Sequence, residues 1–322
     1  DAASNYTNDL PVTSVESNYT FVPDDKFEQA LIDLGYDDVL NDYVLTDNII
    51  GVEVLNLSDK NIYDLTGIGG FTALKNLYLL KNKITEIDVS KNLNLENLSI
   101  GRNYLTEIDV SKNINLRDLS LGDNLLTDID VSKNSNLEVL SLGSPPEPIS
   151  ENLNRIQNLD LSNNNKLIRL GLSNNNIKGT IETSNLSELM TLVVDGNFYL
   201  DNLDLSKNTK LEWLQVGYNS SLHTIDISNQ SILKYFSIRA SSQSLVGLDI
   251  SNNNELIIFD ATFSSLDCIK VSQFQLDNQI NNNRIGDKTT DFYLPIGPTL
   301  GQLESSISWT KDSNTIFSLD CN

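Results

Sequence analysis

Carboxylates recur at nearly equal intervals along this chain of 322 residues, at Asp88, Asp109, Asp130, Asp160, Glu182, Asp204, Asp226 and Asp249. Oxygen ligands of this kind suit calcium. A bound cation would also neutralise like charges held about 5 Å apart on adjacent strands. Each acid is, however, followed two positions later by a serine, as Asp88 is by Ser90, and a serine can donate hydrogen bonds to it. Because the row follows a repeat, we favour this structural interpretation and keep calcium at Asp88, Asp109 and Asp130 as the alternative.

A second set of residues is suited to ligand binding. Trp213, Tyr218, Tyr235 and Arg239 lie close together in successive segments of the sequence. Aromatic side chains with arginine are typical of protein-binding hot spots, and aromatic rings also stack on sugars. In the alternative interpretation these aromatics only pack along a strand ladder. Our candidates for ligand binding are Tyr78, Arg102, Arg169, Trp213, Gln215, Tyr218, Tyr235, Arg239 and Phe263.

Catalytic motifs are missing from the sequence. His223 is the only histidine, and neither a Ser-His-Asp or Cys-His set nor a glycine-rich phosphate loop can be assembled. The rival interpretation is a parallel β-helix enzyme that cleaves polysaccharides with a few carboxylates. Such an active site needs a unique cluster, whereas the acids here recur in repeat after repeat. We therefore predict that the protein is not an enzyme.

These side chains must be positioned by an internal repeat. Ten leucine-centred units follow one another at intervals of 21 to 23 residues, apart from one interval of 30. A constant period predicts an elongated solenoid in which each coil contacts its neighbours. The first residues of the units are Val52, Leu74, Leu95, Leu116, Leu137, Leu167, Leu189, Leu211, Leu233 and Leu256.

Each unit has the pattern L-x-x-L-x-L-x-x-N-x-L, as in the segment from Leu95 to Leu105. The alternation of leucines predicts a short strand with two aliphatic side chains pointing inward. The asparagine, here Asn103, lies at the corner, where its side chain can bond backbone groups that the turn leaves unpaired. A second half-coil of the form Ile-Asp-Val-Ser-Lys-Asn, as at 87–92, repeats the same arrangement and ends on a second corner asparagine.

The pattern resembles the leucine-rich repeat family in its short bacterial form. The stretch 64–84 is similar to the repeats of internalin-like surface proteins, and the later repeats resemble those of secreted and surface-anchored Bacteroidetes proteins. The resemblance covers roughly residues 50–271. It implies a leucine-rich repeat solenoid of about ten coils of 21–23 residues, with parallel strand ladders, in a secreted or cell-surface protein.

Segments at both ends are predicted to cover the stack. We expect a flexible leader over 1–20, an N-terminal helical cap over 21–50, the solenoid over 51–271 and a C-terminal cap over 272–322. An amphipathic helix at 23–35 would place Phe27, Ala30, Leu31 and Leu34 on one face. The two cysteines, Cys268 and Cys321, flank the non-repeat segment, so we predict a disulfide that pins the C-terminal cap. Two unpaired thiols are the alternative.

Some coils depart from the pattern and are expected to be less regular. Pro145 replaces the corner asparagine of the fifth coil and Lys60 that of the first, while Leu186 and Gln230 interrupt the second asparagine row. The long interval contains a proline-rich insertion at 143–150. We expect it to project as a stiff loop, either beside a binding site or as tolerated drift.

The net charge of the chain disfavours some classes of binding partner. The chain has 44 acidic and 22 basic residues, a net charge of −22, which disfavours nucleic acid and anionic membranes. No apolar run is long enough to insert into a membrane. We expect a monomeric, secreted or cell-surface module that binds a protein partner, in adhesion or in contact with a host or another surface. The alternative ligand is a polysaccharide bound by the aromatic residues of the C-terminal coils.

Overall fold

The central residue of each repeat, a leucine in the first eight and a phenylalanine in the last two, points into one continuous core. Leu98, Leu119 and Leu140 have no exposed surface, which confirms the inward orientation predicted from the repeat. We describe these features from a computed structural model, which defines residues 18–144, 153–239, 245, 247–262, 264, 266–280, 308–311 and 315–321. Residues 1–17 of the leader predicted over 1–20, and residues 145–150 of the insertion predicted at 143–150, lie outside these residues.

The chain is a parallel β-solenoid with little helix. Its helices are α1 (Asp25–Asp33), α2 (Thr46–Ile49) and α3 (Gln273–Gln275), with a 3-10 turn at Ile68–Gly70 and a π turn at Leu276–Ile280. Its strands are β1 (Tyr19–Phe21), β2 (Tyr43–Leu45), β3 (Val54–Asn56), β4 (Asn76–Tyr78), β5 (Asn97–Ser99), β6 (Asp118–Ser120), β7 (Val139–Ser141), β8 (Arg169–Gly171), β9 (Lys178–Thr180), β10 (Thr191–Val193), β11 (Tyr199–Asn202), β12 (Trp213–Gln215), β13 (Tyr235–Ser237), β14 (Leu248–Asp249), β15 (Ile258–Ala261), β16 (Cys268–Lys270), β17 (Ser308–Lys311) and β18 (Ile316–Ser318).

One long sheet has the strand order β17-β15-β13-β12-β10-β8-β7-β6-β5-β4-β3. Its strands are parallel and in register, so that Leu98 of β5 pairs with Leu119 of β6 and Leu119 with Leu140 of β7. Ten of these strands come from the ten predicted coils, and β17 adds an eleventh by pairing with β15. Smaller sheets are formed by β1 and β2, by β9 and β11, and by β14, β16 and β18.

Asparagines at the first corner of the coils form a hydrogen-bond ladder. The Asn103 amide donates to the Leu79 carbonyl of the preceding coil at 2.9 Å, and its Oδ1 accepts from the Ile84 amide at 3.1 Å. In the fifth coil Asn154 makes the equivalent bonds, donating to the Leu121 and Leu142 carbonyls and accepting from the Leu126 amide, all at 2.9 Å. The prediction that this coil lacks its corner asparagine was therefore wrong, because the insertion only displaces that residue along the sequence.

The second corner has a similar ladder, and two predicted interruptions are compensated. Gln230 donates to the Leu205 carbonyl at 2.8 Å, because its longer side chain still reaches the preceding coil. Where Leu186 replaces an asparagine, the neighbouring Asn185 donates to the Leu161 carbonyl at 2.8 Å. The row also continues beyond the repeats, since Gln275 of α3 donates to the Ile250 carbonyl at 2.8 Å.

The N-terminal helix covers the first coil. Phe27, Ala30 and Leu31 are buried, and the Asp24 side chain caps α1 by accepting from the Lys26 and Phe27 amides. Leu34 was expected on the same face but is 47% exposed, because the helix ends at Asp33 and Leu34 is the C-cap.

The C-terminal segment continues the coil geometry. Trp309 of β17 is fully buried and pairs with Phe259 of β15. Strand β18 pairs with β16, and the Cys268–Cys321 disulfide joins the start of β16 to the residues that follow β18, which confirms the predicted bridge. The domain boundary at 272 stays a prediction.

Candidate ligand-binding site on the outer face of the long sheet

The outer face of the long sheet is the side turned away from the core. In each strand the central residue is buried, so that the first and third residues point outward. The in-register pairing places equivalent outward residues in rows along the solenoid, as with Ser99, Ser120 and Ser141. A surface of this kind presents side chains from many coils at about 5 Å per step.

A groove of about 290 Å³ lies on this face between the second and seventh coils. Its floor is made of small residues: Ser99, Gly101, Ser120, Gly122, Ser141, Gly143, Gly171 and Ser173. Asp118, Val139 and Arg169 lie along one side, and Arg102, Asp123 and Ser144 along the other. Leu80 and Val193 line its two ends.

Close packing between coils requires the glycines of this floor. A Cβ added to Gly122 would collide with the Gly143 carbonyl oxygen, and one added to Gly143 would collide with the Ser173 amide nitrogen. These contacts are to backbone atoms, which cannot move without separating the coils. A side chain at Gly122 or Gly143 would therefore not fit between the coils, and these two positions of the floor need glycine.

The Arg102–Asp123 ion pair bridges the third and fourth coils. The Arg102 Nε donates to Asp123 Oδ2 at 3.1 Å, and the side chains are 47% and 4% exposed, respectively. The Asp123 backbone amide donates to Ser144 Oγ at 3.2 Å. Asp123 Oδ1 is buried and receives no hydrogen bond from any described residue, so within this part of the chain the carboxylate is only partly satisfied.

Asp118 and Arg169 lie along the opposite side of the groove. Burial raises the pKa of the Asp118 carboxyl, while a hydrogen bond from the Ser120 hydroxyl and the positive charge of Arg169 lower it. Arg169 is half-buried. Asp118 was not among the candidates predicted from the sequence. Its position could have indicated it, because Asp118 precedes the buried Leu119 as the candidate Trp213 precedes the buried Leu214.

The predicted aromatic patch is largely buried. Trp213, Gln215 and Tyr235 are only 7%, 5% and 3% exposed, and the Trp213 and Tyr235 rings stack 3.7 Å apart with their planes 2° apart. They pack with Val193 and Ile258 in a second apolar cluster. The stack agrees with the alternative interpretation, in which the aromatic residues pack along a strand ladder. The role of these three residues in ligand binding stays a prediction.

Buried polar groups accompany this apolar cluster. The Gln215 amide donates to the Tyr235 hydroxyl at 3.1 Å, and the Gly217 amide donates to Asp195 Oδ1 at 2.6 Å. Burial raises the pKa of Asp195 to about 7; the Gly217 hydrogen bond lowers it and the negative charge of Asp260 raises it. Burial likewise raises the pKa of the Tyr235 hydroxyl.

The other candidates are spread along the solenoid. Tyr78 and Tyr218 are exposed, and Tyr218 has a left-handed backbone conformation with φ of 57°. Arg239 is half-buried two residues after the strand of the ninth coil. Phe263 lies outside the described residues. The structure thus brings Arg102 and Arg169 together in the groove but leaves Tyr78 and Tyr218 outside it.

The repeated aspartates each take part in a local turn. Asp88 Oδ1 accepts from the Ser90 amide at 2.8 Å, and Asp109 and Asp130 accept from Ser111 and Ser132 in the same way. The Ser111 amide and hydroxyl hold the pKa of Asp109 below its usual value. A wider groove of about 950 Å³ includes Asp88 and Asp109. Among the described residues no three acids, histidines or cysteines form a group suited to a metal ion.

Comparison with known proteins shows the fold. No protein-family model and no curated protein matches the sequence. The functional domain of InlJ from Listeria monocytogenes has a TM-score of 0.57 at 23% identity, over 93% of this chain and 72% of that chain. Internalin C2 of the same organism has a TM-score of 0.56 at 22% identity, over 66% and 92%.

A third neighbour comes from an assembly of several proteins. The leucine-rich repeat protein FLRT2, in a complex with Latrophilin 3 and Unc5D, has a TM-score of 0.51 at 19% identity, over 73% of this chain and 74% of that chain. Within the described residues no helix is long and apolar enough to cross a membrane. The repeat pattern, the register of the long sheet and these neighbours together show that the chain has the leucine-rich repeat solenoid fold.

Proposed function

We propose that the protein is a non-enzymatic recognition module that binds a protein partner on the outer face of the long sheet. The observation that carries this proposal is the groove, where charged side chains with incomplete pairing surround a floor of small residues. Asp123 Oδ1 has no donor in the described part of the chain, and Asp118 is half-buried near Arg169. Groups of this kind gain free energy when a partner completes their hydrogen bonds.

The fold and its neighbours support binding to protein. In-register strands hold the outward residues in fixed rows, which lowers the entropy lost on association. FLRT2 occurs in an assembly with two other proteins. The net charge of −22 disfavours nucleic acid as the partner.

A secreted or cell-surface location with a role in adhesion belongs to the same proposal. The Cys268–Cys321 disulfide is typical of proteins in oxidising compartments. The strong net negative charge favours a soluble monomer.

A photo-crosslinking amino acid placed on and off the groove tests the proposed surface. Ser120 lies on the groove floor, whereas Thr127 is exposed beyond the first corner. We expect protein adducts from position 120 in the native surroundings of the protein, competed by the unlabelled chain, and none from position 127. The same adducts from both positions, or none from position 120, would refute the proposal.

Glycan binding is a second candidate, favoured by a different set of aromatic residues. Phe198 and Tyr199 are 53% and 56% exposed, and Tyr218 is exposed on the next coil, where Ser221 donates to the Phe198 carbonyl. Exposed rings of this kind can stack on sugars. A glycan array with the wild type and a Phe198→Ala, Tyr218→Ala variant tests this: a signal that the variant lacks supports glycan binding, and no signal from the wild type rejects it.

A further inference from the structure

We propose that the groove binds an extended peptide segment of the partner and that an acidic side chain of this segment pairs with Arg169. The inference rests on the proposed function and adds to it the chemistry of the ligand. Three features support it: an arginine without an ion pair, a buried acceptor without a donor, and a floor that a peptide backbone can approach.

Arg169 differs from two arginines in the third and fourth coils. Arg102 pairs with Asp123 and Arg117 pairs with Glu138, whereas no described residue forms a hydrogen bond or ion pair with the Arg169 guanidinium. The negative charge of Asp118 lies near enough to interact with it electrostatically, without a hydrogen bond or an ion pair between the two side chains. A guanidinium offers a planar pair of donors that matches a carboxylate in two parallel hydrogen bonds.

Asp123 supplies the second, independent feature. Its side chain is 4% exposed, it lines the groove, and its Oδ1 has no hydrogen-bond partner among the residues that the structure describes. Buried polar atoms in folded proteins are nearly always paired, so an orphaned carboxylate oxygen at a groove points to a ligand donor. A backbone N–H of a bound peptide, admitted by a small movement of the exposed Arg102 side chain, completes this pairing.

The dimensions and floor of the groove suit an extended chain. Strands β5 to β8 are separated by three inter-strand steps, about 14 Å in total, and an extended peptide covers this distance with about four residues. The serine and glycine floor has no side chain long enough to block a backbone, and the serine hydroxyls can both donate and accept hydrogen bonds. Leu80 and Val193 at the ends provide apolar contacts for the flanking residues.

The charges of the groove favour a peptide with a single acid over a polyanion. Asp118 and Asp123 repel a ligand with repeated phosphates, and Arg102 is already paired. A peptide segment with one carboxylate and several backbone N–H groups satisfies Arg169 and Asp123 together.

Panning a phage library of random linear heptapeptides on the full chain tests the inference. We expect enriched peptides with aspartate or glutamate at one fixed position. A synthetic copy of an enriched peptide, measured by fluorescence anisotropy, should bind Arg169→Glu at least about 30-fold more weakly than wild type, since charge-assisted bidentate pairs are the strong ones. Arg155→Glu is the matched control, because Arg155 is exposed and lies outside the groove, and its affinity should equal that of wild type.

Two further measurements keep the result unambiguous. Ser141→Tyr fills the groove without changing its charge and should also abolish binding, while circular dichroism verifies that each variant is folded. Enrichment of no peptide, or of peptides that bind Arg169→Glu as well as wild type, would overturn the inference. If crosslinking from position 120 still captures a protein, the recognition function stands and only the peptide chemistry fails.

Discussion

The Trp213 and Tyr235 rings stack 3.7 Å apart, with only 2° between their planes, on adjacent strands of the long sheet. Both side chains are buried, so their 22-residue spacing marks a packed ladder of rings on the outer face. At the stack, packed side chains cover the outer face. In the central coils the outer face instead forms the groove.

Removing one ring of this stack should destabilise the protein. We expect Trp213→Ala to lower the free energy of unfolding by about 3–5 kcal/mol, because a large buried side chain leaves a cavity. Tyr218→Ala, at an exposed position three residues after strand β12, should cost less than about 1 kcal/mol. Urea unfolding followed by circular dichroism measures both, and equal small losses would show that the stack contributes little.

The corner asparagine after the insertion should also be a stabilising residue. Asn154→Ala removes three hydrogen bonds and leaves buried backbone groups unpaired, so we expect a loss of about 2–4 kcal/mol. Asn158→Ala changes an exposed asparagine a few residues away and serves as the control. A midpoint of urea unfolding shared by the two variants would contradict the role assigned to Asn154.

Asp195 should make stability depend on pH near neutrality. Burial raises its folded-state pKa to about 7, above the unfolded value of about 3.9, so the folded protein holds the proton more tightly. This contribution to stability is complete below the unfolded pKa and is lost as the pH rises through the folded one. Between about pH 5 and pH 8 the wild type should lose on the order of 3 kcal/mol more than Asp195→Asn, which keeps an oxygen acceptor for the Gly217 amide.

The repeated aspartates do not affect the pH dependence measured for Asp195, because they titrate at lower pH. Hydrogen bonds from Ser111 lower the pKa of Asp109, so its contribution is present above the unfolded pKa and is lost as the pH falls through the folded one. Free energies of unfolding at several pH values for both proteins make the comparison. Parallel curves for wild type and Asp195→Asn would rule out Asp195 as the source.

Removing calcium should leave the thermal stability of the protein unchanged. Asp88, Asp109 and Asp130 each use one carboxylate oxygen for a serine amide of their own turn, so the fold does not need a cation to satisfy them. We expect the same thermal midpoint with millimolar calcium and with a chelator. A midpoint that rises by several degrees in calcium would restore the cation interpretation of the acidic row.

Much of the fold could be predicted because the position of a residue within its repeat decides whether it is buried. Leu98 and Leu119 have the same neighbours in sequence and therefore the same buried position, and Asn103 and Asn124 occupy the same corner for the same reason. The corner role of Asn154 was missed because an insertion breaks the spacing that identifies it. Gln275 of the second ladder was missed because the leucine pattern ends before it, although it lies 22 residues after Asn253.

The sequence by itself determined the coil, since regularly spaced aliphatic residues can be buried only if the chain winds at that period. Only the tertiary structure decided which outward residues meet solvent. Trp213 and Arg169 hold equivalent places in their repeats, but one is buried in a ring stack and the other borders an open groove. That difference arises from side chains on neighbouring coils, where packing depends on the size of residues about 22 positions away and not on the local pattern.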